Sequence, residues 1–242
     1  MTQLGFKSNT GAVREKNEDA CFVIPGQNVY IVADGVGGNN AGEVASRTVV
    51  QGIAEYVREV PLDECGTDEE ICSYFIDCLA KVNDEVVTLG QNHRENRGMA
   101  TTVVTAYIRD DKAYIMHVGD SRAYLFRDGE LTQLTEDHTY VNELLKSGAI
   151  TTREAENHSQ KHYITRAIGA DIFVKSDFNR VAVSEGDILM LCSDGLYGEV
   201  EEQQLVDILG RDENIPDMCG QLVDAAIEAG GRDNITVVLV KV

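Results

Sequence analysis

Apolar residues along this chain change their spacing several times, and the changes divide it into blocks. Residues 20–25 and 28–33 are short runs rich in Val and Ile, joined at the turn pair Pro25-Gly26. They predict two strands. Two helices are expected next. Ala41, Val44, Ala45, Val49, Ile53, Tyr56, Val57 and Val60 recur at helical spacing, and so do Ile71, Phe75, Cys78, Leu79, Val82, Val86 and Leu89. Thr67 and Glu70 form a capping box just ahead of the second run. Strand character returns at 102–108, 113–118 and 123–126, with turns at Asp110-Asp111 and Gly119-Asp120-Ser121. Asp128-Gly129 is a hairpin signal leading to Leu131 and Leu134.

Residues 136–168 are more polar and less regular, with a short helical pattern at Val141, Leu144 and Leu145, and read as a surface excursion. Strands at 173–183 and 187–192 precede helices near 202–209 and 215–229, and 235–240 reads as a closing strand. The order is strands, two helices, strands, two helices, strand. Helical blocks that separate strand blocks predict an α+β fold, an antiparallel sheet system with helices packed outside it, and not a doubly wound parallel sheet. No Pro/Ser-rich linker or internal repeat interrupts the 242 residues. That length suits one sandwich-type unit of roughly 200–250 residues, so a single domain over 1–242 is expected.

Charge narrows the partners. The chain carries 21 Lys+Arg against 41 Asp+Glu, a formal net charge of -20. Such a surface repels nucleic acid and anionic membrane. Much of the excess serves solubility. The six cysteines include no CxxC pair and have no His at zinc spacing, which predicts free thiols in a reducing compartment and not a disulfide framework. Residues 1–10 lack the charged-then-apolar build of a signal peptide, and no apolar run approaches the about 20 residues that span a bilayer. A cytoplasmic protein is expected.

Five aspartates share a context that solubility does not explain. Asp34 follows Val29-Tyr30-Ile31-Val32-Ala33 and precedes Gly35-Val36-Gly37-Gly38, and Asp194 follows Ile188-Leu189-Met190-Leu191-Cys192-Ser193 and precedes Gly195. Asp120 ends the run Tyr114-Ile115-Met116-His117-Val118-Gly119. Asp19 lies at the mouth of a strand, and Asp233 follows Gly230-Gly231-Arg232 ahead of the last one. A carboxylate where a buried strand meets a loop is partly desolvated, and several gathered together repel unless cations neutralise them. Carboxylate and carbonyl oxygens suit Mg²⁺ or Mn²⁺. A single Asp-Gly is more simply a turn, as at Asp128-Gly129. For Asp34 and Asp194 together the metal reading is better. Pattern alone leaves Asp120 and Asp19 evenly balanced, and Asp233-Asn234 equally reads as a turn.

The motifs Arg14-x-x-Asn17-Glu18-Asp19, Ala33-Asp34-Gly35-Val36-Gly37-Gly38, Gly119-Asp120-Ser121-Arg122, Ser193-Asp194-Gly195-Leu196 and Gly231-Arg232-Asp233-Asn234 occur in this order over residues 14–234. Together they resemble the metal-dependent Ser/Thr protein phosphatases of the 2C type, especially compact bacterial members. The resemblance implies two stacked antiparallel sheets flanked by helices on both outer faces. It implies two or three Mn²⁺ or Mg²⁺ ions at one end of the sandwich. Asp34 would bridge two of them, with the Gly35 carbonyl on one and Asp194 and Asp233 on the other. Asp120 with Asp194 would hold a third, and Asp19 would act through metal-bound water. Two metals about 3.5–4 Å apart share and acidify a water, giving a hydroxide that attacks phosphorus in phosphoserine or phosphothreonine. Arg14 would grip the phosphate with its planar fork; without the resemblance it reads as a surface arginine. The polar stretch 140–168 corresponds to the family's variable flap. Phosphoproteins, including a eukaryotic-like Ser/Thr kinase, are the implied partners of a monomeric enzyme.

One departure stands out. Many relatives have His directly after the Asp-Gly pair, where this chain has Val36, and Asn39-Asn40 stand where bacterial relatives often carry His. The leaving alkoxide still needs a proton. A metal-bound water is the first candidate and His138 the second, although a loop-packing role suits that histidine better. Two other readings remain beside the phosphatase: a module that binds phosphoproteins without turnover, for which loss of metal aspartates would be the sign, and a two-metal hydrolase of small phosphate esters or nucleic acid.

Overall fold

Strands whose alternate residues are all apolar must be covered on both faces, and this requirement produces four layers. The computed structural model describes residues 3–37 and 41–242, apart from the side chain of residue 156. One sheet holds β1 (Gln3–Asn9), β11 (Ile235–Lys241), β10 (Ile188–Cys192), β7 (Arg122–Arg127) and β8 (Glu130–Gln133), in that spatial order. The other holds β2 (Asp19–Ile24), β3 (Val29–Val36), β5 (Val103–Arg109), β6 (Lys112–Val118) and β9 (Asp177–Ala182), with the two-residue β4 (Ala100–Thr101) on the far part of β3. Every strand pair is antiparallel.

The period of two along each strand assigns its residues to layers. Tyr30 and Val32 of β3 face Leu189 and Leu191 of β10 and Val238 and Val240 of β11 between the sheets. Val29, Ile31 and Ala33 point the other way, against α1 (Ala41–Glu59) and α2 (Asp68–Asn92). Met190, Val237 and Leu239 face α6 (Glu202–Leu209) and α7 (Ile215–Glu228). The expected sandwich with helices on both outer faces is therefore the observed one. The α2 capping box also forms: Thr67 Oγ1 accepts from Glu70 N at 3.2 Å, and Glu70 Oε2 accepts from Thr67 N at 2.9 Å. No helix among the described residues is long and apolar enough to cross a membrane.

The differences from expectation are local. β1 pairs along its whole length with β11, yet its sequence shows no strand pattern because it is an edge whose Phe6 is 59% exposed. The expected strand at 173–183 shortens to β9, since buried Asn83 binds the loop before it through Gly169 N and the carbonyls of Asp171 and Ile172. The strand expected from 102 is interrupted at Thr102, whose N–H goes to Asp34 O across the sheet. Asp34 is an internal residue of β3, and Asp194 opens a short helix, α5 (Asp194–Tyr197), that the apolar pattern does not reveal. Between residues 138 and 165 the chain leaves the sheets, forms α3 (Tyr140–Lys146) and α4 (Thr152–Glu156), and returns to pair Thr139 with Ile164. Gly38, Asn39 and Asn40 lie outside the described residues, and with them the expectation placed on Asn39-Asn40.

Leu189 has no exposed surface and lies in the layer between the sheets. Leu189→Ala is expected to cost about 2–5 kcal/mol in urea unfolding, because no neighbouring loop can collapse into the space. A loss under about 1 kcal/mol, the scale of an ordinary surface change, would contradict that layer assignment.

Candidate active site

Strand register collects the acidic residues at one end of the sandwich. Asp19 and Asp34 are direct partners across β2 and β3, so their side chains leave the sheet on the same side. Asp194 begins α5 immediately after β10, and Asp233 precedes β11, the strand next to β10. Asp120 lies in the turn between β6 and β7. Arg14, Glu18, Asp34, Asp120, Asp194 and Asp233 together line a cavity of about 270 Å³, which Gly35, Val36 and His162 also border. Asp19 is buried just behind it. Gly35 fits because a side chain there would meet Gly42 O at 2.1 Å and Glu18 O at 2.6 Å; the backbone can pass only with no Cβ.

Neutral groups hold the carboxylates in place. Asp19 Oδ2 accepts from Ser193 Oγ at 2.7 Å, and Ser193 Oγ accepts from Thr236 N at 3.0 Å. The Asp34 N–H donates to Thr102 Oγ1 at 3.1 Å, while Asp34 O accepts from Thr101 Oγ1 at 2.8 Å and from Thr102 N at 2.9 Å. Thr102 Oγ1 and Ser121 Oγ are 2.6 Å apart, which joins the backbone around Asp34 to the turn that carries Asp120. Asn234 Oδ1 accepts from Glu18 N at 2.7 Å, and its Nδ2 donates to Thr10 O and Lys16 O. It thereby fastens the Arg14 loop to the start of β11. Asn234, Ser193 and Thr102 escape sequence reasoning. Asn234 and Ser193 are marked only by their place inside the quoted motifs and Thr102 by nothing, since one buried hydroxyl or amide has no pattern of its own.

The electrostatics are those of an acidic cluster lacking counter-charge. Burial first, then Asp194 and Asp233, pushes the Asp19 carboxyl up to about 7 against the hydrogen bond from Ser193. Burial and then Asp194 push Asp120 up to about 7 as well. Asp34 is raised well above the usual carboxylate range by burial and by Asp19, Asp194, Asp120 and Asp233. Asp194 is raised by burial and by Asp233. Asp19 Oδ1 and Asp194 Oδ1 are buried without a hydrogen-bond partner. Arg14 Nη2 donates to Asp233 Oδ2 at 2.7 Å. Among the described residues, no three His, Cys, Asp or Glu side chains form a group that could hold an ion by themselves. Unpartnered buried oxygens beside several carboxylates suit hard divalent cations, which take oxygen ligands.

His138 is removed from the list of proton donors. It is buried, does not border the cavity, and is engaged through both ring nitrogens. His162 is the histidine that borders the cavity. Arg122 is also committed elsewhere: its guanidinium lies 3.6 Å from the Tyr197 ring centroid and makes a fork with Asp137. Tyr197 OH donates to Asp120 O at 2.9 Å. Beyond this wall a cleft of about 800 Å³ runs beneath α3 and shares Asp120 and His162 with the smaller cavity.

Comparison with known proteins identifies the family and the fold. Residues 12–226 match the family model described as Protein phosphatase 2C. The chain is 41% identical over 241 residues to protein phosphatase PhpP of Streptococcus pneumoniae, covering 98% of this chain and 96% of that one. Its fold superposes on the serine/threonine phosphatase of S. agalactiae with a TM-score of 0.94 at 33% identity, covering 100% of both chains. It superposes on the catalytic domain of the phosphatase PstP, solved with two manganese ions, with a TM-score of 0.86 at 31% identity, covering 99% and 97%.

Asp19 and Asp120 keep their protons up to about 7 in the folded chain, against an ordinary value of 3.8. The folded chain thus binds more protons than the unfolded one across that interval, and this contribution to stability is lost as pH rises through it. In chelator, Tm is expected to fall more steeply over that interval in wild type than in Asp120→Asn. Equal slopes would exclude Asp120 from the desolvated cluster.

Proposed function

Given that the chain belongs to the protein phosphatase 2C family and is a metal-dependent serine/threonine phosphatase, we propose that its reaction centre is the cavity lined by Arg14, Asp34, Asp120, Asp194 and Asp233. The observation that carries this reading is a mismatch of charge. Five acidic side chains, Glu18, Asp34, Asp120, Asp194 and Asp233, face a space that has to admit a phosphate dianion, and Arg14 is the one arginine or lysine bordering it among the described residues. A phosphate cannot enter such a site until cations outweigh the carboxylates.

In this reading Asp34, the Gly35 carbonyl, Asp194 and Asp233 would hold divalent cations, Asp120 with Asp194 would hold a further, weaker one, and Asp19 would orient water from behind. The register pairing of Asp19 with Asp34 and the unpartnered oxygens on Asp19 and Asp194 support this division. Bound Mn²⁺ or Mg²⁺ neutralises the carboxylates and the phosphate and lowers the pKa of water into the range where it is a nucleophile at neutral pH. Arg14 then holds the phosphate oxygens through its planar fork, a geometry that lysine does not offer. Its present hydrogen bond to Asp233 keeps the guanidinium at the cavity edge. The serine or threonine oxygen leaves with a proton, and His162, which borders the cavity where Val36 cannot serve, is the chain's own candidate to supply it.

Substrates are phosphorylated proteins. We assign to the segment 140–168 the part of a flap over the 800 Å³ cleft, and to a Ser/Thr kinase of the eukaryotic-like type the opposing reaction. One domain, acting as a monomer in the cytoplasm, completes the reading.

Asp34→Ala and Asp194→Ala are each expected to abolish Mn²⁺-dependent phosphate release from a phosphothreonine peptide while leaving the far-UV CD spectrum unchanged. Full activity in either would refute the assignment of the centre. Arg14→Ala is expected to reduce kcat/KM by about 10²–10³-fold, the usual loss of one charged donor to a transition state. Arg14→Lys should recover only part of that loss; full recovery would mean that the fork is unimportant.

A further inference from the structure

His138 takes no part in the cavity, yet its polar atoms are all engaged. Its backbone N–H donates to Gly119 O at 3.0 Å, and its carbonyl accepts from Thr165 N at 2.8 Å. Its ring Nδ1 accepts from Gly119 N–H at 3.1 Å. Its ring Nε2 lies 3.3 Å from Asp177 Oδ2. Because Nδ1 accepts, the proton of the neutral ring is on Nε2 and points to Asp177. Arg166 Nη1, 3.0 Å from the same ring nitrogen, serves the other Asp177 oxygen, Oδ1, at 2.9 Å. The His117 ring stacks on the His138 ring with centroids 4.6 Å apart and is itself held by Glu136 O at 2.8 Å. Burial, followed by the charges of His117 and Arg166, pushes His138 down to about 4, which keeps the Nδ1 lone pair free for Gly119.

Gly119 is therefore gripped at both its N–H and its C=O by one residue. It has φ +100, a conformation that its own lack of a side chain permits but does not enforce. The next residue is Asp120. The same histidine is the first residue of the 138–165 excursion, and through Thr165 it also holds the last. We propose that His138 is a positioning residue for the reaction: through Gly119 it sets the Asp120 carboxylate in the catalytic cavity, and through Thr165 it ties that setting to the seating of the excursion. The inference rests on Asp120 being a cation ligand, as argued above.

The two ring nitrogens can be tested separately. Asn places an acceptor where Nδ1 stands and gives up the contact with Asp177; Gln keeps a donor near Nε2 and gives up the acceptor for Gly119. The measurement is Mn²⁺ binding without substrate, by loss of the free-ion EPR signal, on wild type, His138→Asn, His138→Gln, Asp120→Asn and the His138→Gln/Asp120→Asn double variant, each with its Tm. His138→Gln is expected to weaken the weakest class of Mn²⁺ sites by about tenfold, the usual effect of losing an outer-shell partner. His138→Asn should stay near wild type, and the double variant should bind no more weakly than Asp120→Asn. Equal weakening by Asn and Gln, or a further loss in the double variant, would overturn the proposal. So would a shared fall in Tm with Mn²⁺ binding intact, which would mark a purely structural histidine. Should His138→Gln not fold, weakened binding in a folded His138→Asn is the overturning result. Asp120→Asn alone reports on the underlying reading: if it leaves Mn²⁺ binding unchanged, Asp120 is no ligand and the proposal falls with that reading, whatever the His138 variants do.

Discussion

Asp19 and Asp34 face one another across β2 and β3, and Asp194, Asp233 and Asp120 crowd the same end of the sandwich. Their mutual repulsion is the constraint around which the local structure is arranged. The groups that hold them are almost all neutral: the Ser193 hydroxyl on the Asp19 carboxylate, the Asn234 N–H on that of Asp233, and Thr101 and Thr102 on the Asp34 backbone. Hydroxyls and amides orient a carboxylate without cancelling its charge. A lysine in any of those places would quiet the cluster and remove its appetite for cations. The structure instead holds the charges fixed and leaves buried oxygens on Asp19 and Asp194 without partners.

Such a cluster is tolerable only on a rigid support. Each central strand is covered on both faces, by the opposite sheet on one side and by helices on the other. Close packing on two sides leaves a strand end little freedom to splay away from its neighbour. Asp34 and Asp194 therefore sit in or directly after packed central strands, whereas the excursion carrying His162 joins the body at His138 and Thr165. One end of the molecule thus combines carboxylates set by packed strands with a wall built from a segment outside both sheets.

Much of this was legible before any coordinates. The apolar runs ending at Asp34 and Asp194 mark strands buried on both faces, and the block order yields the α+β sandwich. Asp19, Asp120 and Asp233 are ambiguous from pattern because one carboxylate at a loop has many uses; only register and sheet order bring them to one cavity. β1 is invisible for a different reason. Its pairing with β11 is made by the backbone, and Lys7 and Ser8 advertise nothing about it. His138 shows the limit most sharply. From sequence it is a second candidate for proton donor and better suited to loop packing, and only the distances to Gly119 and Asp177 reveal how its ring is committed. His162 carried no signal at all, since its place beside the cavity depends on how the excursion folds back.

The order of strands in the first sheet bears on how the molecule comes into being. β11 is the last element in chain order, yet it lies between β1, the first, and β10. Until it is inserted, β1 has no neighbour in its sheet, and the cavity lacks the residues that precede β11. A chain emerging from the ribosome consequently exposes the apolar faces of β10 and α7 until β11 has been made. Long-range closure of this kind is slow compared with helix formation. Completion of the acidic cavity thus waits on the insertion of β11, so that a chain without it holds only a partial set of carboxylates and has no complete place for a phosphate.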